Sequence, residues 1–327
     1  MKLRGIEFGN VLGASGVQGF YGEGYWFHTV CGPKLEGITF VSKTATLHPR
    51  AGNMLLKGDY TPVKYFPDCV KGNLWREVML NAVGLSNPGL ELLLASGKWQ
   101  KRTKPFFISI MTLSENTEER LEEISRMVQL IGEYHRGFSA PFALQINESC
   151  PNTGDHDPAK RIGTASRVLE IASVLGVPLM LKYSIASAIP EAIMSLNDDP
   201  HCDAICVSNT IPFGWVNPND IEEKKNSFGK KIWGSNISPL AKYGGGGLSG
   251  SALLPLVTDW IMRLRHLGFK KPINGGGGIL YPKDVEYYKD AGASSIFLGT
   301  VIPFASFLPF RYRVGAIVKA ANTLDWG

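Results

Sequence analysis

Eight short apolar runs, most of them followed by a helical pattern, constrain this chain more than any other feature. They are NVLGASG (10–16), GITFVSK (37–43), FFISIM (106–111), FALQIN (142–147), PLMLKY (178–183), AICVSN (204–209), PINGG (272–276) and SIFLGT (295–300). Strands that are apolar on both faces belong in a sheet covered on both sides, and intervening helices make that sheet parallel. The clearest helix is 115–134, where Leu121, Ile124, Met127, Val128 and Ile131 recur at helical spacing behind an acidic first stretch. Further helical patterns lie at 158–175, 249–267, 282–291 and 304–322. The alternation predicts an α/β fold, a (β/α)8 TIM barrel forming a single domain over 1–327; an open doubly wound sheet is the alternative with the same alternation. Two long segments, about 44–105 and 211–247, interrupt the pattern. In a barrel both lie on the face where the strands end, and loops of that length serve as lids or site walls.

Composition excludes several function classes. Lysine and arginine are scattered, the tightest clusters being pairs such as Lys224–Lys225 and Lys230–Lys231, and the net charge is only +5. A nucleic-acid binder would gather its basic residues on one face. The five cysteines, Cys31, Cys69, Cys150, Cys202 and Cys206, are odd in number and show no disulfide framework, which points to a reducing, cytoplasmic setting. His201, Cys202 and Cys206 in HCDAIC could begin a zinc site, but no second cluster completes four ligands, so core packing is expected and no metal. Residues 291–310 are uncharged over 20 positions, the length of a membrane span. They also hold two glycines, two prolines, three serines and a threonine, so a buried strand followed by a glycine turn is expected, and no membrane association.

Polar residues fall where the barrel rule puts an active site, at the ends of strands. Lys43 ends the second run, Asn147 with Cys150 the fourth, Lys182 the fifth, Asn209 with Thr210 the sixth, and Gly299 with Thr300 the eighth. NGGGGI (274–279) and LGT (298–300) occupy the loops after strands seven and eight, where barrels often hold phosphate, and GGGGLSG (244–250) is expected to open a helix. A lysine in a barrel mouth is costly unless it meets an anion or strong acceptor. Lys182 is therefore read as stabilising negative charge on a bound aromatic cofactor, with a structural ion pair or a Schiff-base lysine as alternatives. Asn81, Asn147, Asn152 and Asn209 suit a flat heterocycle with alternating carbonyl and N–H edges. In NESCPNTG (147–154) a single thiol, Cys150, stands between two amides at a strand end, a placement suited to moving protons.

INESCPNTG, NAVGLSNPGL, GITFVSKTAT, LMLKYS, CVSNT, GGLSG and IFLGT resemble the dihydroorotate dehydrogenases in order and separation, over nearly the whole chain. The cysteine in SCPN is similar to the soluble class-one enzymes. The resemblance implies an FMN-containing barrel that oxidises dihydroorotate to orotate in pyrimidine synthesis. Cys150 would be the base, and Lys43 would contact both flavin and substrate. Lys43, Asn81, Val83, Gly84, Leu85, Asn147, Asn152, Asn209 and Thr210 would hold the substrate. Ala14, Ser15, Gly16, Lys43, Asn147, Lys182, Gly246, Gly247, Gly277, Gly278, Gly299 and Thr300 would hold FMN. Electrons would pass to fumarate or to a partner electron-transfer flavoprotein, and a homodimer is the family expectation. Glu148 stands where the family usually has an aliphatic residue. Strand alternation predicts that it points away from the substrate; pointing inward, it would oppose a carboxylate substrate and a thiolate. Thr210 replaces a usual serine and keeps the hydroxyl. Other readings are a related flavin barrel acting on another dihydropyrimidine or heterocycle, a Schiff-base lyase or isomerase barrel on a phosphorylated substrate, and a non-catalytic phosphate-binding barrel.

Overall fold

The computed structural model describes residues 1–26, 28, 32, 34–148, 158–216, 227–307 and 310–326, with the side chains of 158–162 left aside. Its strands, in chain order, are β1 (Lys2–Leu3), β2 (Ile6–Glu7), β3 (Val11–Gly13), β4 (Val70–Asn73), β5 (Val78–Asn81), β6 (Phe106–Ile110), β7 (Phe142–Asn147), β8 (Leu179–Tyr183), β9 (Ala204–Val207), β10 (Ile211–Pro212), β11 (Gly247–Gly250), β12 (Ile273–Gly275) and β13 (Ser295–Leu298).

Seven of these form a parallel sheet in the order β3-β13-β12-β9-β8-β7-β6. Its two edges are joined by the stretch 39–45. On one side Gly13 N–H donates to Thr39 O and Thr39 N–H to Val11 O, both at 2.9 Å; on the other Phe107 N–H donates to Phe40 O and Ala45 N–H to Ser109 O, both at 2.9 Å. The expected second strand is thus present as isolated bridges rather than a continuous ladder. It acts as the eighth stave, and the sheet closes into the TIM barrel.

The barrel interior is a packed core. Leu12, Val41, Phe107, Ala143, Met180, Ala204, Cys206 and Phe297 meet there, and Met1, Leu3 and Phe8 join them from the β1–β2 hairpin. Phe8 lies 4.6 Å from Phe107 between ring centroids, so the hairpin closes the floor. Outside the sheet, the helix Thr117–Tyr134 buries Leu121, Ile124, Met127, Val128 and Ile131, and the Asn116 side chain caps its first turn by accepting from the N–H groups of Glu118 and Glu119. Each such apolar side chain contributes about 1.5–3 kcal/mol on burial. Cys202 packs in this outer layer and Cys206 inside the barrel, so the two sulfurs serve separate cores. The uncharged stretch 291–310 holds β13 and the short helix Val301–Phe304, and no helix among the described residues is long and apolar enough to cross a membrane.

The helical patterns need two corrections. The helix expected over 249–267 runs over Leu254–His266, and GGGGLSG does not open it: Gly247–Gly250 is strand β11, paired antiparallel with β5. Glycines carry no side-chain periodicity, so this strand leaves no pattern to read. The helix expected over 304–322 is two pieces, Val301–Phe304 and Arg313–Thr323. The two long inserted segments meet in one antiparallel sheet, β10-β11-β5-β4, that walls the barrel mouth.

Candidate active site

The mouth opens into a cavity of about 560 Å³. Ala14, Ser15, Gly16, Lys43, Asn81, Val83, Gly84, Leu85, Asn147, Lys182, Asn209, Thr210, Gly277, Gly278, Gly299 and Thr300 all line it. Cys150 and Asn152 lie outside the described residues. Gly246 and Gly247 do not line the cavity: Gly247 pairs with Asn81 in the sheet, and a Cβ on Gly246 would stand 2.9 Å from Asn81 O. Ser249 and Gly250, two or three positions on, take the place on the wall.

Strand alternation explains who faces in. On β7, Ala143, in the inner core, and Asn147 share one face; on β8, so do Met180 and Lys182. Asn147 and Lys182 are register partners, so the two stand side by side at the rim. Asn209 comes over from the end of β9 and donates through Nδ2 to Asn147 Oδ1 at 3.3 Å. Its own Oδ1 accepts from Thr210 N–H at 2.9 Å, which fixes the loop.

Lys182 is buried, and burial pushes its ammonium pKa down, with Cys206 opposing. Its Nζ lies 5.8 Å from the centre of the Phe297 ring. Among the described residues no carboxylate or carbonyl is placed to accept from it. A buried cation that faces a cavity without a protein acceptor is a position for an electron-rich ligand atom. Lys43 differs: Nζ donates to the backbone oxygen of Ser86 and sits 4.8 Å from the centre of the Phe20 ring. Burial lowers its pKa to about 7, while Cys69 and Glu23 oppose.

The turn after β5 supplies the facing wall. Gly84 and Leu85 both hold left-handed backbone, φ +68° and +58°; for leucine this is strained, so the surroundings must enforce it. They do: Arg50 Nε donates to Gly84 O at 2.8 Å and Asn87 Nδ2 to Leu85 O at 2.7 Å. A chain of hydroxyls links three neighbouring staves at the mouth, Ser15 to Thr44 at 2.8 Å and Thr44 to Ser109 at 2.9 Å. Gly278, also on the cavity wall, takes φ +80°, and a Cβ there would meet Leu254 N at 2.7 Å. Thr300 Oγ1 donates to Ser249 Oγ at 2.9 Å.

A family model described as dihydroorotate dehydrogenase matches residues 1–311. The chain belongs to the dihydroorotate dehydrogenase family. Among its relatives, the proteins named dihydroorotate dehydrogenase B (NAD(+)), catalytic subunit, from Listeria welshimeri and Latilactobacillus sakei are 28% and 27% identical over 312 and 308 residues. Each alignment covers 92% of this chain and 86% of the relative. Two crystal structures of DHODH from Eimeria tenella, ligand-free and with ferulenol, share the fold at TM-scores of 0.61 and 0.65. Both are 18% identical, with 98% of this chain covered and 85% and 84% of the others.

The cavity suits the flavin that this family uses. The Lys182 ammonium, without an acceptor among the described residues, offers a cation to a flat ring, and Gly277, Gly278 and Gly299 present bare backbone on the cavity wall. Glu148, two residues before Cys150, points out of the cavity as alternation predicts: its carboxylate pairs with Arg120 and is 2% exposed. Tyr25, Trp26, Lys57, Lys64 and Tyr65 line the outer mouth and had no signal in the sequence, because they lie in loops without periodicity. Ser249 was within reach of sequence reasoning, in the same glycine motif as Gly246 and Gly247.

Proposed function

We propose that this chain oxidises dihydroorotate to orotate in pyrimidine biosynthesis, with FMN held along the cavity. One observation carries the reading: in a dihydroorotate dehydrogenase family chain, Lys43, Asn147, Lys182 and Asn209 come from four separate staves and converge on one cavity.

In this reading Gly277, Gly278, Gly299 and Thr300 hold the phosphate end of FMN, Ala14, Ser15 and Gly16 flank its ring, and Lys182 meets its electron-rich edge. FMN supplies the two-electron acceptor that takes the hydride from one ring carbon of the substrate. Cys150 takes the proton from the adjacent carbon, so the substrate loses one hydride and one proton and becomes orotate. Asn81, Asn147, Asn152, Asn209 and Thr210 offer amide and hydroxyl groups to the imide edges, and the Val83–Leu85 turn closes over them. Lys43 turns from Ser86 O toward the substrate carboxylate, and the anion restores its charge. The Glu148 charge, spent on Arg120, does not oppose the thiolate.

The relatives' names, catalytic subunits of an NAD(+)-using enzyme, favour a partner electron-transfer flavoprotein over fumarate as the next acceptor. A homodimer and a cytoplasmic setting complete the proposal; free thiols at Cys69, Cys202 and Cys206 suit a reducing compartment. Cys150→Ala tests the chemistry: it should keep its yellow colour and slow flavin reduction by dihydroorotate about 10²–10⁴-fold, in line with loss of a general base. Reduction at the wild-type rate would remove Cys150 from the mechanism.

A further inference from the structure

Glu148 and Arg120 do more than neutralise each other. The backbone N–H of Glu148 donates to Lys182 O at 2.9 Å, which sets the end of β7 against β8. Its carboxylate accepts from Nη2 of Arg120, which comes from the helix Thr117–Tyr134, and both side chains are buried. The other terminal nitrogen of Arg120 donates to Thr164 Oγ1 at 2.7 Å, on the helix Pro158–Ser173. Glu148 immediately precedes the segment 149–157, and the helix that carries Thr164 begins immediately after it. One guanidinium from a third element therefore grips both flanks of the segment that contains Cys150 and Asn152. Tyr183 faces the pair from β8; burial, and then the Glu148 charge, push its phenol pKa well up. Among the described residues, Arg120 Nε and Tyr183 Oη are buried without a hydrogen-bond partner.

A buried ion pair is a poor source of stability, because desolvation offsets the attraction. Its position explains it better. We propose that Arg120 and Glu148 are positioning residues, a clamp that fixes the two flanks of 149–157 and so sets how Cys150 reaches the substrate. This rests on Cys150 being the base.

The test uses the FMN-loaded enzyme and follows anaerobic flavin bleaching by dihydroorotate against pH, in Arg120→Met, Arg120→Lys, Glu148→Gln, the double variant Arg120→Met/Glu148→Met, and Cys150→Ala. Arg120→Met should lower the high-pH plateau rate about ten- to hundredfold, the scale of a small misplacement of a reacting group. It should also move the midpoint to higher pH, since an unpaired carboxylate two residues from the thiol disfavours the thiolate. Glu148→Gln should move the midpoint the other way. Arg120→Lys should keep the wild-type midpoint but not the rate, because one ammonium cannot span both acceptors as a fork does. Where a single variant does not fold, the double variant answers: an apolar pair replaces a buried ion pair without loss of fold, and it should be slow with an unshifted midpoint. Wild-type plateau and midpoint in all the clamp variants, with Cys150→Ala slow, would overturn the clamp and leave the base standing. A fast Cys150→Ala would overturn the base and the clamp with it.

Discussion

Met180 and Lys182 sit two residues apart on β8, point the same way, and belong to different parts of the molecule. Met180 packs among Phe107, Ala143 and Ala204 in a dry core that the N-terminal hairpin seals from below. Lys182, one layer higher, carries a charge that burial penalises and that nothing among the described residues accepts. The same division runs round the barrel: Val41 below Lys43, Ala143 below Asn147. The lower layers hold the staves together, and the upper layer carries polar groups whose desolvation is offset by protein partners at Lys43 and Asn147 but, among the described residues, by none at Lys182.

Substitution on the two sides of that boundary should therefore have opposite consequences. The largest loss of stability is expected below it. Met180→Ala removes a buried side chain where the ring of staves cannot collapse, and should cost about 2–5 kcal/mol in denaturant unfolding, with flavin affinity in the folded fraction little changed. An unaltered midpoint would mean that the interior is loosely packed. Above the boundary, Lys182→Met should leave the flavin-free protein as stable as wild type or more so, because a desolvated ammonium is replaced by an apolar chain of similar length. Flavin binding should weaken about ten- to hundredfold, the worth of a charged hydrogen bond of about 1.5–3 kcal/mol. Loss of stability together with unaltered flavin affinity would erase the distinction between the layers.

A pH dependence is expected at Lys43, whose pKa burial holds near 7 against a usual 10.5. The folded, ligand-free protein binds that proton less tightly than the unfolded chain. Its stability should therefore rise with pH between about 7 and 10.5, and the penalty is complete below 7. A bound carboxylate reverses the preference. Orotate should then bind with uptake of a proton above pH 7, and its affinity should fall as pH rises, by at most about tenfold per unit. Lys43→Met should flatten that slope in an orotate titration followed by flavin absorbance; an unchanged slope would place the titrating group elsewhere.

The lower layers were legible because burial on both faces leaves continuous apolar runs, and the rim because barrel chemistry gathers where those runs end. Lys43, Asn147, Lys182 and Asn209 could be picked out on that ground alone. The wall strand β11 could not, since glycine has no pattern; the resemblance implies Gly246 and Gly247 as flavin contacts, and the cavity is lined by Ser249 and Gly250 instead. The stretch 39–45 is recognisable as a run, yet its backbone pairs only in places. Arg120 was visible in principle: it stands four positions before Ile124 on the apolar stripe of its helix, and a charge there needs a buried partner. That the partner is Glu148, 28 residues along the chain, is a product of the fold.

The most direct measurement is anaerobic mixing of the FMN-loaded protein with dihydroorotate while the flavin band is watched. The account predicts rapid, stoichiometric bleaching with release of orotate, faster as pH rises through a single ionisation. A band that stays yellow with dihydroorotate, and bleaches instead with another dihydropyrimidine or with none, would contradict it.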